Sequence, residues 1–253
     1  MRGTQAVTAM RTLGLGAALA LVVSMPAAAA PSRYDACLNR AQTDPAGAFA
    51  DATMWAKHGG AAAADHCAAV ALVGLRRYGD AAGRLDALAH SPFAADPARR
   101  SALFDQAGNA WLLAGRPDSA VASFSAGLAA DSFDADLLAD RARALAAQQN
   151  WAKAESDLSA ALMVNGDRAD LYVLRGSARH ALGRKADARA DFDRALRLQP
   201  ANADALLERG TMKFEAGDVA GARADWQKAA EVAPGSAAAD TARQRLADTA
   251  QPR

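Results

Sequence analysis

The segment ADLYVLRGSARHALGRKADARADFDRALRLQPAN, residues 169–202, decides the fold. It is rich in alanine and has no long β-branched run, a composition that favours helix because alanine loses no side-chain entropy there. Gly183 in its middle is typical of a left-handed residue that ends a helix. Pro200 near its end cannot continue a helix. The segment therefore predicts two helices joined by a short turn.

The same pattern recurs along the chain with a period of 34 residues. Four gapless units cover residues 101–134, 135–168, 169–202 and 203–234, the last of them cut short at Pro234. The eighth place of every unit holds a small residue, the twentieth holds alanine and the twenty-fourth holds a large apolar residue. One such unit is too small to bury its own apolar face, so neighbouring units must stack.

Residues 169–202 resemble the tetratricopeptide repeat in its bacterial form, RG…G…A…DF..A…L.P, over four tandem units. The resemblance implies an all-α fold, a right-handed superhelix of antiparallel helix pairs (an α-solenoid), in an exported bacterial protein. Three places depart from the family pattern. Gln149 replaces a turn glycine, and Arg179 and Lys213 stand where the family usually has an apolar or aromatic residue. These departures predict looser packing in their units.

Both ends of the array depart from the period. Residues 62–100 are interpreted as a divergent repeat-like unit followed by an insertion. Residues 31–61 predict an N-terminal helix pair, hinged at Asp44-Pro45 and stopped by Gly59-Gly60. Residues 235–253 predict a capping helix and tail, since the last repeat needs a polar cover for its exposed apolar face.

Residues 1–30 have the three-part pattern of a secretory signal peptide. Arg2 and Arg11 supply the positive start, residues 13–23 the apolar stretch, and an alanine run the cleavage region, with cleavage favoured after Ala29. The apolar stretch is shorter than the ~20 residues that span a bilayer, although an uncleaved anchor remains an alternative. The pattern predicts a periplasmic protein, with secretion or envelope association as further options.

Charge argues against two classes of partner. Without residues 1–30 the chain keeps 27 basic and 28 acidic side chains, a formal charge of −1. Nucleic-acid binding would need a basic excess on one face, and membrane attachment would be favoured by a polybasic patch. The sequence therefore predicts neither nucleic acid nor membrane as the partner.

The chain has two cysteines, Cys37 and Cys67. In an oxidising compartment such a pair predicts a disulfide. With His58 and His66 the cysteines have the composition of a zinc site, but the spacing does not match a finger or ribbon. A cysteine nucleophile with His66 as base would need a third orienting group, which the sequence does not single out. We therefore predict no metal, no cofactor and no enzymatic activity.

Arginine at the seventh place of a unit accompanies aspartate at the twenty-third. The pairs are Arg141 with Asp157, Arg175 with Asp191 and Arg209 with Asp225. In the unit 101–134 both places change together, to Ala107 and Ser123. This joint appearance and joint loss predicts a contact across each helix pair, with bidentate geometry open to arginine. A direct binding role for the arginines is the alternative.

The family resemblance implies that the first helix of each unit lines the concave side of the array. The predicted partner-binding residues are the exposed places of those helices: Asp105, Gln106, Asn109, Asp136, Asp140, Arg143, Asp170, Ser177, His180, Asp204, Glu208, Thr211 and Glu215. Acidic residues dominate, and a groove of one sign attracts ligands of the opposite sign. We predict a protein or peptide partner with net positive charge; the alternative is a set of solvated helix faces.

Together these patterns predict a non-catalytic scaffold or adaptor that binds another protein in the periplasm. Two other classes stay open. One is an enzyme with a hydrolase or thiol activity in residues 31–61, a segment too short for a catalytic domain of its own. The other is a passive structural spacer.

Overall fold

The structure is a computed structural model that describes residues 32–130 and 132–249. The predictions for the signal peptide at residues 1–30 and for the end of the tail at 250–253 lie outside these ranges. The described residues are helical or in turns, which confirms the all-α fold class. Their α-helices are α1 Arg33–Thr43, α2 Pro45–Trp55, α3 Ala61–Gly74, α4 Tyr78–Ala89, α5 Pro97–Leu113, α6 Pro117–Ala130, α7 Ala135–Ala147, α8 Trp151–Val164, α9 Ala169–Ala181, α10 Lys185–Leu198, α11 Ala203–Glu215, α12 Val219–Val232 and α13 Ala237–Asp248.

The helices stack as an α-solenoid. Consecutive helices pack against each other across short connections, and the first helices also form a row of their own, in which α5 contacts α7, α7 contacts α9 and α9 contacts α11. The interior is shared between units, since Leu128 of α6, Leu137 of α7 and Leu171 of α9 belong to one buried cluster. This is the stacking that a two-helix period requires.

The eighth and twenty-fourth places of a unit face each other and are matched in size. A Cβ added to Gly176 would lie 2.6 Å from Cε1 of Phe192, and Phe192 is fully buried. Where the eighth place is instead alanine, at Ala142, the partner is the smaller Leu158. A glycine therefore accompanies each aromatic partner, as in Gly108 with Phe124 and Gly210 with Trp226.

The turn inside each helix pair has a left-handed residue at the same place. Gly115, Gly183 and Gly217 have φ between 71° and 85°. Gln149 adopts φ 59° at the equivalent place of its unit, and so does Arg76, with φ 58°, between α3 and α4. This conformation costs a non-glycine residue roughly 1–2 kcal/mol. The stacking thus keeps the turn geometry even where glycine is missing. The turn between α3 and α4 has its left-handed residue at the same place as the turns of the four later units.

The N-terminal helices are held by a cap and a disulfide. Asp44 accepts a hydrogen bond from Gly47 N at 2.9 Å and caps α2, whose first residue is Pro45. Cys37 of α1 and Cys67 of α3 form a disulfide with Cα atoms 6.1 Å apart. Closing a loop of this size stabilises a fold by roughly 3–4 kcal/mol in the chain-entropy model. The disulfide therefore fastens α1 to the first unit of the array.

The other end of the array is covered by α13. This helix contacts both α11 and α12. Its residues Ala238, Ala239 and Ala242 are buried, and Ala242 packs in one cluster with Leu206 and Trp226 of the last unit. The helix thus removes from water an apolar face that has no following unit.

The repeated arginine and aspartate side chains form bidentate ion pairs. In the unit 169–202, Arg175 donates from Nε and Nη2 to Asp191 at 3.0 and 2.8 Å. Arg141 with Asp157 and Arg209 with Asp225 have the same geometry at 2.7–2.8 Å. The three carboxylates are buried. These arginines serve the contact across the helix pair that the pattern predicted.

Each arginine also reaches the preceding unit through Nη1. Arg141 donates to Ser125 Oγ at 3.2 Å and Arg209 donates to Asp193 Oδ1 at 3.1 Å. Ser125 and Asp193 occupy the same place of their respective units. The pairs therefore tie successive units together as well as the two helices of one unit.

Arg179 and Lys213 were expected to loosen the packing of their units. Instead, each lies beside a buried carboxylate and gives it a second cationic partner. Arg179 Nη1 lies 2.8 Å from Asp191, and Lys213 Nζ lies 2.8 Å from Asp225. Burial alone would raise the pKa of Asp225, yet hydrogen bonds from Arg209 and Lys213 outweigh it and hold that pKa below its ordinary value. The expectation of a loosened contact at these places is therefore wrong.

The unit 101–134, which lacks the arginine and aspartate pair, has a different polar link. Asp86 of α4 accepts hydrogen bonds from Trp111 Nε1 at 2.7 Å and from Ser123 Oγ at 2.8 Å. Ser123 occupies the place where the later units have aspartate. The preceding unit thus supplies the carboxylate that this unit lacks.

Candidate functional site

The predicted partner-binding residues lie on α5, α7, α9 and α11, the helices that form the row of first helices. Their side chains meet across the helix boundaries. Asn109 of α5 donates to Asp140 of α7 at 3.0 Å, and His180 Nε2 of α9 lies 3.0 Å from a carboxylate oxygen of Glu215 of α11. We call this surface, which bears the predicted partner-binding residues, the groove face.

Part of the acidic charge on the groove face is neutralised by cations that lie outside the first helices. Arg168 bonds both Asp170, at 2.6 Å, and Asp136. Hydrogen bonding to Arg168 holds the pKa of Asp170 below its ordinary value. Lys185 Nζ lies 3.0 Å from Glu215. The groove face is therefore less uniformly acidic at α9 and α11 than the sequence predicted.

Most of the remaining predicted binding residues on α9 and α11 are engaged or half-buried, and one, Asp204, is exposed. Ser177 Oγ donates to Val173 O at 3.1 Å, and Thr211 Oγ1 donates to Leu207 O at 3.0 Å. Burial raises the pKa of Glu208 above its ordinary value. Because these hydroxyls already have acceptors in their own helices, the strongest candidate site lies nearer the N-terminus, on α5 and α7.

An apolar cavity of about 470 Å³ opens on the groove face beside α5. Its apolar wall comes from four helices, α1, α3, α4 and α5. Its polar lining consists of Gln42, His66, Asp105, Gln106 and Asn109. Leu113 at its edge is 59% exposed. The apolar lining residues are Leu38, Val70, Val73, Leu85, Ala110 and Leu113. Three predicted binding residues thus border a space that can take an apolar side chain.

His66 is a fixed part of that wall. Its ring lies between the Tyr34 hydroxyl, 2.5 Å from Nδ1, and Gln106 Oε1, 2.9 Å from Nε2. This arrangement suits a neutral ring in which the tyrosine hydroxyl donates to Nδ1 and the ring donates from Nε2 to the amide oxygen. Burial lowers the pKa of His66 below its ordinary value. The histidine therefore orients Gln106 and needs no proton exchange to do so.

The geometry does not support the cysteine nucleophile or the zinc site that were considered for the N-terminal end. Cys37 and Cys67 are joined to each other, so neither offers a thiolate as nucleophile or zinc ligand. His58 is exposed, and its Nδ1 lies 2.8 Å from Met54 O in its own helix turn. Within the described ranges no three His, Cys, Asp or Glu side chains are grouped so as to hold a metal ion.

Asp105 is the most strongly perturbed acid on the groove face. Burial and then the negative charge of Asp140 raise its pKa to about 7, with smaller contributions from Asp134 and Asp136. Asn109 Nδ2 lies 3.0 Å from both the Asp105 and the Asp140 carboxyl groups and bridges them. Placing a cation beside these two carboxyl groups would relieve the repulsion.

This arrangement predicts a pH-dependent stability. Because the pKa of Asp105 is raised on folding, its contribution is fully favourable below about pH 4 and is lost as pH rises through about 7. At pH 8, Asp105→Asn should raise Tm by about 2–4 °C, the effect of about 1 kcal/mol, since solvent screening leaves only part of the electrostatic cost. Below about pH 4 the two proteins should melt together.

The control for this measurement is Asp248→Asn, at an exposed place of α13. It should leave the pH dependence of Tm as it is in the wild type. Equal pH profiles for Asp105→Asn and the wild type would show that the repulsion between Asp105 and Asp140 is absent in solution.

A row of stacked helix pairs with a polar groove face and an apolar cavity defines a helical-repeat protein of the binding type. The tetratricopeptide-repeat family model matches residues 139–200 and 173–240. The second tetratricopeptide-repeat domain of the human RPAP3 protein, solved in complex with an HSP70 peptide, is 31% identical, with 47% of this chain and 98% of that domain covered and a TM-score of 0.45. The chain belongs to the tetratricopeptide repeat family.

Two further solved structures share the fold at lower identity. MamA is 18% identical, with 70% of this chain and 93% of that chain covered and a TM-score of 0.57. YrrB, described as a tetratricopeptide-repeat protein with an unusual peptide-binding site, is 19% identical, with 78% and 97% covered and a TM-score of 0.54. A search of curated proteins found no match. None of the described helices combines the length and apolarity that crossing a membrane requires.

Proposed function

We propose that this protein is a non-catalytic adaptor that binds an extended protein or peptide segment with net positive charge on its groove face. The observation that carries the proposal is the apolar cavity of about 470 Å³ beside α5. Concave, mostly apolar spaces with a few fixed polar groups are the usual form of a binding site. YrrB, which shares the fold, is described as having an unusual peptide-binding site, and this supports a peptide as the ligand.

The acidic charge of the groove face supports a partner with net positive charge. Asp105 lines the cavity, and Asn109 bridges it to Asp140 on the groove face. Arg143 is the one cation bonded to either of them within the described residues. A cationic segment would add a second positive charge at a site where two carboxyl groups repel each other, and opposite potentials across an interface accelerate and orient association.

The proposal places the protein in the periplasm. The signal-peptide pattern of residues 1–30 and the disulfide between Cys37 and Cys67 support it, because disulfides persist in oxidising compartments. Fractionation of the native host should find the processed chain in the periplasmic fraction; a chain that stays in the cytoplasm with residues 1–30 attached would refute this part of the proposal.

Charge reversal on the groove face tests the binding function. Fluorescein-labelled dodecapeptides of net charge +3, 0 and −3, with equal leucine content, are titrated against the protein by fluorescence anisotropy. We expect saturable binding of the +3 peptide. Asp136→Lys with Asp140→Lys should weaken it at least about tenfold, equivalent to about 1.4 kcal/mol.

A charge-matched control separates a local from a general effect. Asp240→Lys with Asp248→Lys changes the net charge equally on exposed places of α13, outside the groove face, and should leave the affinity within about twofold. Asp136→Asn with Asp140→Asn covers the case in which the reversed pair does not fold. Equal weakening by both double lysine variants, or no saturable binding of any peptide, would refute the proposed function.

A further inference from the structure

Asp105 separates two cavities of different character. On one side lies the apolar cavity of about 470 Å³ against α1 and α3. On the other side a cavity of about 500 Å³ lies between α5 and the start of α7, and its lining includes Ser101 and Asp105 of α5 with Asp134 and Asp136. No lysine or arginine belongs to the described lining of this second cavity. We call the two spaces the apolar cavity and the acidic cavity.

Ser101 in the acidic cavity has a hydroxyl without a partner. The residue is 7% exposed, and its Oγ has no hydrogen-bond partner among the described residues. A serine inside a helix usually bonds the carbonyl four residues earlier, as Ser177 does in α9. Leaving a buried hydroxyl unpaired costs about 1–3 kcal/mol. The position of Ser101 in the cavity lining therefore points to a ligand that supplies the missing hydrogen bond.

The carboxylates of the acidic cavity come from α5, from the residue that caps α7 and from α7 itself. Asp134 uses Oδ1 to cap α7, accepting from Asp136 N at 2.9 Å and from Leu137 N at 3.0 Å. Asp136 bonds Arg168, which directly precedes α9 and lies outside the cavity lining. Several separate oxygen acceptors suit an ammonium group, whose three donors point in different directions, better than a planar guanidinium fork.

We propose that the two cavities bind two nearby side chains of one peptide: a leucine-sized apolar side chain in the apolar cavity and a lysine side chain in the acidic cavity. Ser101 Oγ then accepts a hydrogen bond from the lysine ammonium, and Asp105 lies between the two subsites. This inference rests on the proposed function and specifies its ligand as a segment that carries an apolar residue and a lysine side by side.

The probes are fluorescein-labelled glycine-flanked peptides with leucine and lysine in three arrangements: Leu-Lys, Leu-Gly-Lys and Lys-Leu. The tightest of these is then compared with versions that carry acetyl-lysine, arginine or, in place of leucine, alanine. Acetyl-lysine removes the charge and keeps the length of the chain. We expect acetylation to weaken binding at least about tenfold and the alanine peptide to bind about three- to tenfold more weakly.

Variants of the protein make the assignment specific. Ser101→Ala should weaken the lysine peptide and leave Tm of the free protein equal or higher, because it removes an unpaired buried hydroxyl. A purely structural serine would do the reverse, lowering Tm without changing selectivity. Leu113→Ala should reduce the preference for leucine over alanine, since Leu113 is exposed at the edge of the apolar cavity. Asp248→Asn, at an exposed place of α13 outside the groove face, should change neither.

The outcomes separate this inference from the proposed function. The lysine subsite would be overturned by equal affinity for the lysine and acetyl-lysine peptides, or by unchanged affinity in Ser101→Ala. Saturable binding of the +3 dodecapeptide would still support the proposed function in that case. An arginine peptide that binds as tightly as the lysine peptide would overturn the assignment to an ammonium group. Failure of every dodecapeptide to bind would remove both.

Discussion

Gly176→Ala is expected to lower the free energy of unfolding by about 1–2 kcal/mol, because the overpacking cost exceeds the roughly 0.5–1 kcal/mol that alanine gains over glycine inside a helix. The new Cβ would lie 2.6 Å from Cε1 and 2.9 Å from Cδ1 of Phe192, a ring that is fully buried between two units. Overpacking a filled core costs typically 1–3 kcal/mol because side chains leave their rotamers or the backbone shifts. The measurement is urea unfolding of the variant and the wild type, followed by circular dichroism at 222 nm.

A second substitution should restore much of this loss. Gly176→Ala with Phe192→Leu reproduces the combination that the chain itself uses at Ala142 and Leu158. We expect the double variant to be more stable than Gly176→Ala alone. Gly83→Ala is the matched control: a Cβ there would meet nothing within 4 Å, so the substitution should be neutral or slightly stabilising. A double variant less stable than Gly176→Ala would contradict the size matching.

Asp191→Ala should destabilise the array by about 3–5 kcal/mol. Its carboxylate is 5% exposed and is held by Arg175 and Arg179. Removing one partner of a buried ion pair leaves the remaining charge without compensation, and here two guanidinium groups lose their acceptor. Arg175 would also keep its half-buried position beside Ser159 of the preceding unit. The loss should appear as a lower midpoint in urea unfolding.

The control for this prediction is Asp187→Ala on the same helix pair. Asp187 is half exposed and bonds the exposed Arg184; exposed pairs contribute little, so Tm should barely change. A Tm for Asp191→Ala as high as that of Asp187→Ala would show that the pairs inside the units do not hold the array together.

The regular part of this fold could be predicted from the sequence because its determinants repeat. The places occupied by Gly176 and Phe192 recur every 34 residues, so a single sequence displays the size matching and the ion pairs several times over. Arg76 is a different case. It occupies the left-handed place of a turn, but an arginine in a sequence, unlike a glycine, does not indicate that backbone conformation. Only the stacking of α3 and α4 into the array reveals it.

The candidate site was predictable only in part. The residues on α5 and α7 followed from the family resemblance and their place in the unit. The apolar cavity did not, because two of its walls come from α1 and α3, where the period fades. Arg168 and Lys185 were missed for another reason: they belong to connections and second helices, and they reach the groove face only through long side chains. Charge counted along one helix therefore overstates the charge of an assembled surface.

The central claim is that a basic peptide binds on α5 and α7 of the groove face. Titrating ¹⁵N-labelled protein with the +3 dodecapeptide and recording amide chemical shifts tests it most directly. We expect the largest shifts around Asp105, Asn109, Asp136 and Asp140, while α8 and α13 stay unchanged. Shifts concentrated on α8 or α13, or no saturable shift at any amide, would contradict it.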